Sequence, residues 1–262
     1  MPWSQSNGLN IYYELAGEGP PLVLLHANPF DHTMWVYQIA NFSRRFHIVA
    51  IDLRGYGRSD KPERPFAFLD MANDVVAVVR DLGIDQVALV GVSIGGGLAL
   101  QITLEYPTLV RAMVLVGGEA GNPRLFTALA DDYASNPIVE QRAEHMRSLI
   151  SADYAHSPVG RYLIDAFLQS SPQLSAKSIS QIFRARAKVN LTSHLAIVST
   201  PTLVINGDSD ISLESGRYTA SQIPSALHRI VPAAGHICCL ENPWIFDQLI
   251  LEFLDANGYK AA

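Results

Sequence analysis

The sequence predicts an α/β fold: a mostly parallel central sheet with helices on both faces, interrupted by a helical lid insertion. Two observations carry this. Short, fully apolar runs (Leu22-Val23-Leu24-Leu25, Ile48-Val49-Ala50-Ile51, Val87-Ala88-Leu89-Val90 and Met113-Val114-Leu115-Val116) alternate with helix-like stretches. Strands that are apolar on both faces belong in a sheet covered on both sides. The alternation then stops after Gly117-Gly118, and residues 122–190 show only helical patterns until strand character returns at 202–205 and 227–231.

Taken in order, residues 9–15 have strand character and lead into the turn Gly17-Glu18-Gly19-Pro20. The first apolar run follows, then a helical stretch over 33–45, then the second run, ending in Asp52. Residues 54–62, with two glycines, a proline and mixed charge, form a loop. Residues 69–82 place Met71, Val75, Val78, Val79 and Leu82 on one helical face, and Gly83 stops that helix. A helix over 94–106 ends at Pro107, and a closing helix over 243–254 carries proline in its first turn. Turn signals at Ser135-Asn136-Pro137, His156-Ser157-Pro158 and Ser171-Pro172 divide the insertion into helices. The expected organisation is a core in two parts, 1–121 and 191–262, with a helical cap over 122–190.

Composition narrows the function. Of the 262 residues, 48% are apolar and 17% charged, enough for a sizeable core and too few charges for a disordered chain. The net charge of -6, with no run of Lys or Arg, lacks the footprint of a nucleic-acid binder. No apolar stretch is long enough to span a bilayer, and residues 1–5 do not resemble a secretory leader, so a cytoplasmic location is expected. Cys238 and Cys239 are adjacent and are expected to pack rather than pair. The Asn-X-Ser/Thr matches at Asn41 and Asn190 then carry no meaning. Oligomeric state stays open, a homo-oligomer included.

The chemistry concentrates at Gly91-Val92-Ser93-Ile94-Gly95, between an apolar strand and a helix. A tight strand-to-helix turn there holds the serine in strained geometry, and bulky side chains two residues either side would clash. The first amides of the helix point at any negative charge forming beside Ser93. A serine hydroxyl needs a base. Among eight histidines, His236 is favoured because it follows Gly235 in a loop between the last strand and the last helix. His26, which closes a strand, suits a structural role, and His228 is expected to face solvent or the helix layer. Asp210, in Gly207-Asp208-Ser209-Asp210, is the acid expected to orient His236. Asp208 suits a turn-stabilising role. Glu119, at the end of the fourth run, is an alternative acid. The expected oxyanion donors are the backbone N–H groups of Asn28 and Ile94. Trp35, Phe126 and Leu129 are candidate substrate contacts. The apolar residues of the insertion, among them Leu125, Tyr133, Ile138, Met146, Leu149, Tyr162, Phe167 and Phe183, either line a pocket or pack. No His/Cys/carboxylate spacing suggests a metal, and the serine inside the Gly91–Gly97 run argues against a nucleotide site. No cofactor is expected.

These segments, together with His26-Ala27-Asn28-Pro29-Phe30, Asp52-Leu53-Arg54-Gly55-Tyr56-Gly57-Arg58-Ser59 and Gly235-His236, resemble the α/β-hydrolase superfamily over essentially the whole chain. The resemblance is to its small serine esterases, enol-lactonases and cofactor-free perhydrolases. Ala27 departs from that group, which usually has glycine there. The Asn-Pro pair resembles haloalkane dehalogenases, where the Asn side chain helps hold halide, but those relatives use an aspartate nucleophile where this chain has Ser93. Asp52 and Arg54 are expected to fix their loop.

The resemblance implies a serine hydrolase acting on a small-molecule carboxylic ester or lactone through an acyl-enzyme. Two alternatives stay open: carbon–carbon hydrolysis of a ring-cleavage product on the same triad, and a low-turnover ligand receptor.

Overall fold

The computed structural model describes residues 2–118, 120–136, 138–170 and 174–260. Glu119, Pro137, Ser171, Pro172 and the Ile138 side chain lie outside the described residues.

In chain order the strands are β1 (Trp3–Ser6), β2 (Leu9–Ala16), β3 (Pro21–Leu25), β4 (His47–Ile51), β5 (Val87–Val92), β6 (Val110–Val116), β7 (Thr202–Gly207) and β8 (Leu227–Val231). The helices are α1 (Val36–Phe42), α2 (Phe68–Asp81), α3 (Ile94–Glu105), α4 (Pro123–Ser135), α5 (Ile138–Ser148), α6 (Ala152–His156), α7 (Pro158–Ser170), α8 (Ala176–Ala187), α9 (Leu213–Gln222), α10 (Cys238–Glu241) and α11 (Pro243–Ala256). Short 3₁₀ segments cover His32–Trp35 and Thr192–Ile197.

The strands form one sheet in the order β1-β2-β4-β3-β5-β6-β7-β8. β1 and β2 join antiparallel, and from β4 to β8 every pairing is parallel. From β3 the chain steps outward to β4, and from β5 it steps the other way, so the winding reverses between β3 and β5. A reversal opens a crevice beyond the strands' carboxyl ends, and ligands of open α/β sheets bind there.

The apolar strands divide their side chains by parity. Val23, Leu25, Val49, Ile51, Leu89 and Leu115 join the core under α2 and α3, whereas Leu22, Leu24, Ile48, Val90, Val114 and Ile205 join the core under α1 and α11. Met71, Val75, Val78 and Val79 of α2 are buried as their spacing predicts. Cys238 and Cys239 are fully buried free thiols in the second core. Between β6 and β7 the regular elements among the described residues are all helical, α4 to α8 and the second 3₁₀ segment. α4 lies along α8, with Phe126 and Phe183 stacked at 6.3 Å. Among the described residues no helix is long and apolar enough to cross a membrane.

Three elements go beyond the sequence expectation. β1 pairs with β2 through a turn at Asn7-Gly8, both at positive φ (49° and 76°), the turn chemistry that suits a two-residue hairpin. The helix expected over 33–45 is a 3₁₀ turn followed by the shorter α1. α9 has weak periodicity and an internal Gly216, but a Cβ there would stand 2.0 Å from Asn206 Oδ1, so glycine lets this helix press onto β7.

The loop after β4 is fixed from two sides. Arg54 forks onto the Asp74 carboxylate, with Nη2 donating to Oδ1 at 2.6 Å, and also donates to the Asp70 carbonyl at 3.0 Å. Both partners are buried. Burial pushes the Asp74 carboxyl above its ordinary value, and Arg54 offsets this only in part. Removing one member of such a pair strands the other charge. Arg54→Met is therefore expected to cost about 3–5 kcal/mol in urea unfolding. Arg54→Met with Asp74→Leu should recover part of the loss; a double variant no more stable than the single one would contradict this.

Candidate active site

At the end of β5 the chain turns into α3 through Ser93, whose φ of 55° and ψ of -113° lie outside the ordinary regions for an L-residue. The neighbours explain why it stays there. A Cβ on Gly91 would stand 2.2 Å from the Gly95 carbonyl oxygen, and one on Gly95 would stand 2.2 Å from that of Leu25. The Ser93 N–H donates to the Val116 carbonyl at 2.8 Å, extending the strand pairing through the serine itself. Ile94 is the first residue of α3, where backbone N–H groups have no acceptor within the helix.

His236 follows β8 on a loop held at several points. Asp208 accepts from the Ala233 and Ala234 amides at 2.9 and 3.2 Å, so its turn-stabilising role extends across to the histidine's loop. Gly207 permits the crossing, because a Cβ there would meet the Ala234 carbonyl oxygen at 2.1 Å. Glu241 accepts from Gly235 N–H through one oxygen and from Ser151 N–H through the other, each at 2.8 Å, and Ile237 N–H donates to the Leu149 carbonyl. The insertion and the histidine loop are thus tied together.

Asp210 and His236 meet as expected, Nδ1 to Oδ1 at 2.7 Å, with both residues buried. Ser212 donates to the same carboxylate from its amide and its hydroxyl, both at 2.8 Å, and Asn206 Nδ2 donates to Oδ2 at 2.8 Å. Asn206 is braced in turn by half-buried His228, whose Nε2 lies 3.0 Å from Asn206 Oδ1, the atom on which Gly216 of α9 packs; His228 thus faces the helix layer. Burial pushes the Asp210 carboxyl up, but the His236 hydrogen bond and charge, the Ser212 amide and Asn206 outweigh it and hold it below the ordinary carboxylate value. An ionised carboxylate only accepts, so Nδ1 of His236 carries the proton and Nε2 keeps its lone pair.

Ser93, Ile94, Asn28, Gly117 and His236 all line one cavity of about 540 Å³. Phe126 and Leu129 line it, with Leu125, Leu149 and Phe183. Tyr133, Met146 and Phe167 pack in the cores, and Tyr162 is exposed. Trp35 is a correction: it is fully buried in the core beneath α1 and α11 and is not among the residues lining the cavity. The 3₁₀ turn before it sends the indole into the sheet's packing face rather than over the strand ends.

The loop after β3 closes with the Phe30 N–H donating to the Ala27 carbonyl at 2.9 Å, and the Ala27 methyl is fully buried. The Asn28 side chain is held between two tyrosines: Tyr56 donates to its Oδ1, and its Nδ2 donates to Tyr133, each at 3.0 Å. His26 is structural. Its Nε2 accepts from the Leu53 N–H at 3.0 Å, its Nδ1 lies 3.0 Å from the Ala27 carbonyl, and burial lowers its pKa.

Asp52 braces its loop, as expected. It accepts from the His32 and Arg58 amides, each at 2.8 Å, and pairs with His32 Nδ1 at 2.7 Å. With Asp31, these residues offer ligand atoms within 4.8 Å of one another, a grouping invisible in sequence spacing. Asp31 accepts from the Thr33 amide at 3.0 Å. The three close the turn into the 3₁₀ segment.

Sequence reasoning missed His145, which lines the cavity, and Tyr56 and the polar end of Tyr133, which reach the Asn28 side chain behind it. They come from α4, α5 and a loop, and no motif links them. Ser212 sits two residues past Asp210, where a serine that satisfies the acid was a findable signal.

The family model for the alpha/beta hydrolase fold matches residues 20–243. An uncharacterized protein of Mycobacterium tuberculosis (strain ATCC 25618 / H37Rv) is 36% identical over 273 aligned residues, covering 96% of this chain and 80% of the relative. Among solved structures, the chain is similar to an enol-lactonase from Burkholderia xenovorans LB400, with a TM-score of 0.90, 22% identity and coverage of 97% of this chain and 100% of that one. At that identity the likeness speaks for the fold alone. It is also similar to Est816, an N-acyl homoserine lactone degrading enzyme, with a TM-score of 0.85, 28% identity and coverage of 96% and 100%.

Gly117, at φ 56°, backs the imidazole: a Cβ there would stand 2.5 Å from His236 Cε1. Gly117→Ala should push the ring out of line and lower hydrolytic kcat/KM by about 100-fold. Global stability should fall by only about 1–2 kcal/mol, the cost of a left-handed alanine. Undiminished turnover in a folded variant would show that the ring position does not matter.

Proposed function

The chain belongs to the α/β-hydrolase family, and from that premise we propose that it is a serine hydrolase cleaving a carboxylic ester or lactone through an acyl-enzyme. The observation that carries this reading is the buried Asp210–His236 pair, which leaves Nε2 as a base on the same cavity as a serine in a strained turn.

In the proposed mechanism Ser93 Oγ attacks the carbonyl carbon while His236 Nε2 takes its proton. The carbonyl oxygen, now negative, is held by the N–H groups of Asn28 and Ile94, and loss of one such donor costs about two to three powers of ten in turnover. Collapse breaks the bond to the leaving oxygen, which takes the proton from His236 and departs as an alcohol, or stays tethered when the substrate is a lactone. Water then gives a proton to Nε2, attacks the acyl group and releases the acid, and the proton returns to Ser93. Asp210 stabilises the imidazolium at each stage. Apolar side chains of the insertion line the same cavity as Ser93, which suits the insertion as the cap that receives the acyl chain.

Hydrolysis of a short-chain p-nitrophenyl ester tests the reading. Ser93→Ala should abolish turnover with the fold intact by circular dichroism. Asp210→Asn, which invites the wrong imidazole tautomer, should lower kcat by about three to four powers of ten. Retained activity in Ser93→Ala would remove Ser93 from its role, and tight ligand binding without turnover across an ester panel would favour a receptor.

A further inference from the structure

The cavity holds a second histidine, which the hydrolytic steps leave unused. His145, on α5, lines the same cavity as Ser93 and His236. A directional chain of hydrogen bonds joins it to the sheet domain. Tyr56 donates to Asn28 Oδ1, and Asn28 Nδ2 donates to the Tyr133 hydroxyl oxygen, each at 3.0 Å. That oxygen lies 3.3 Å from His145 Nδ1, and Asn28 Nδ2 lies 3.5 Å from the same nitrogen. Having accepted from Asn28, Tyr133 has its own proton left for His145. Both neighbours of Nδ1 are therefore donors, so Nδ1 accepts and Nε2 carries the ring's proton. Burial, followed by the charge of His236, pulls the His145 pKa down to about 4, so the ring is neutral at pH 7.

The charges around the cavity point one way. Asp132 and Glu144 line it, and among the described lining residues none is Lys or Arg. Residues 119, 137–141 and 170–173 contain no Lys or Arg either. A carboxylate brought in with the substrate would lose water and find no cation to replace it. A neutral acceptor oxygen would find the His145 N–H at no such cost.

We infer, resting on the reading of Ser93 as the nucleophile of an ester or lactone hydrolase, that His145 determines specificity by donating its Nε2–H to an uncharged acceptor oxygen of the substrate, and that the cavity rejects substrates carrying a further carboxylate. A ring-cleavage dienoate carries such a carboxylate, so this selection disfavours the carbon–carbon hydrolase alternative.

Two p-nitrophenyl esters that differ only at the far end test the inference: the glutarate half-ester with a free carboxylate, and its methyl ester. Wild-type kcat/KM at pH 7.5 should favour the methyl ester by about 100-fold. His145→Leu should raise KM for the methyl ester about tenfold, with kcat the less affected parameter. His145→Gln, whose amide N–H reaches the place of Nε2, should restore a KM close to wild type, and the shorter His145→Asn should not. Equal rates on the two esters, or a Gln variant no better than Leu, would overturn the inference while leaving the hydrolase reading standing. Absence of Ser93-dependent hydrolysis of both esters would overturn the two together.

Discussion

The site depends on how closely three pieces of backbone approach at the carboxyl end of β5. Gly91, Gly95 and the carbonyl of Leu25 pack with no room for a side chain, and this contact holds Ser93 at positive φ. From it follow the direction of the Ser93 side chain, the start of α3 at Ile94 and the nearness of the loop carrying Asn28. Because β3 and β5 are neighbours at the reversal of the sheet, both expected oxyanion donors flank one crevice. Strain of this kind persists only where surrounding structure over-determines it. Here the Ser93 amide is locked into the sheet by Val116, and the Gly97 amide donates back to the Ser93 carbonyl.

The Asp210–His236 pair is built on the other half of the sheet and solves a different problem. A buried carboxylate must be satisfied or it takes up a proton. Asp210 is surrounded by donors from His236, Ser212 and Asn206, and close backbone approaches place two of them: Gly207 under the histidine loop and Gly117 behind the imidazole for His236, and Gly216 against Asn206. Glu241 adds a long-range tie, since its two carboxylate oxygens join the histidine loop to residue 151 of the insertion. The insertion and the loop that carries His236 are thereby joined through one side chain.

The extent to which this was legible in the sequence follows from how local each signal is. Buried parallel strands are apolar runs of four or five residues, so β3 to β7 stood out. Ser93 was legible because its glycines fall within two residues of it, and Asp210 and His236 because each ends a strand's loop in the order this fold uses. β1 is half exposed and short, so no apolar run marks it, and its one local signal is the Asn7-Gly8 turn. α9 was hidden by Gly216, which sequence treats as a helix breaker and the fold uses for contact. Trp35 is next to the Asn28 loop in sequence, but it ends a 3₁₀ turn and is buried in the core. The Tyr56–Asn28–Tyr133–His145 chain joins four distant segments, and nothing in any one of them marks the others.

Mass spectrometry of the protein after reaction with diisopropyl fluorophosphate tests the central claim most directly. A strained, base-activated serine at the mouth of β5 predicts a single phosphoryl adduct, mapped to the peptide bearing residue 93. A protein that stays unlabelled, or that carries the adduct on another serine with residue 93 unmodified, would contradict the account.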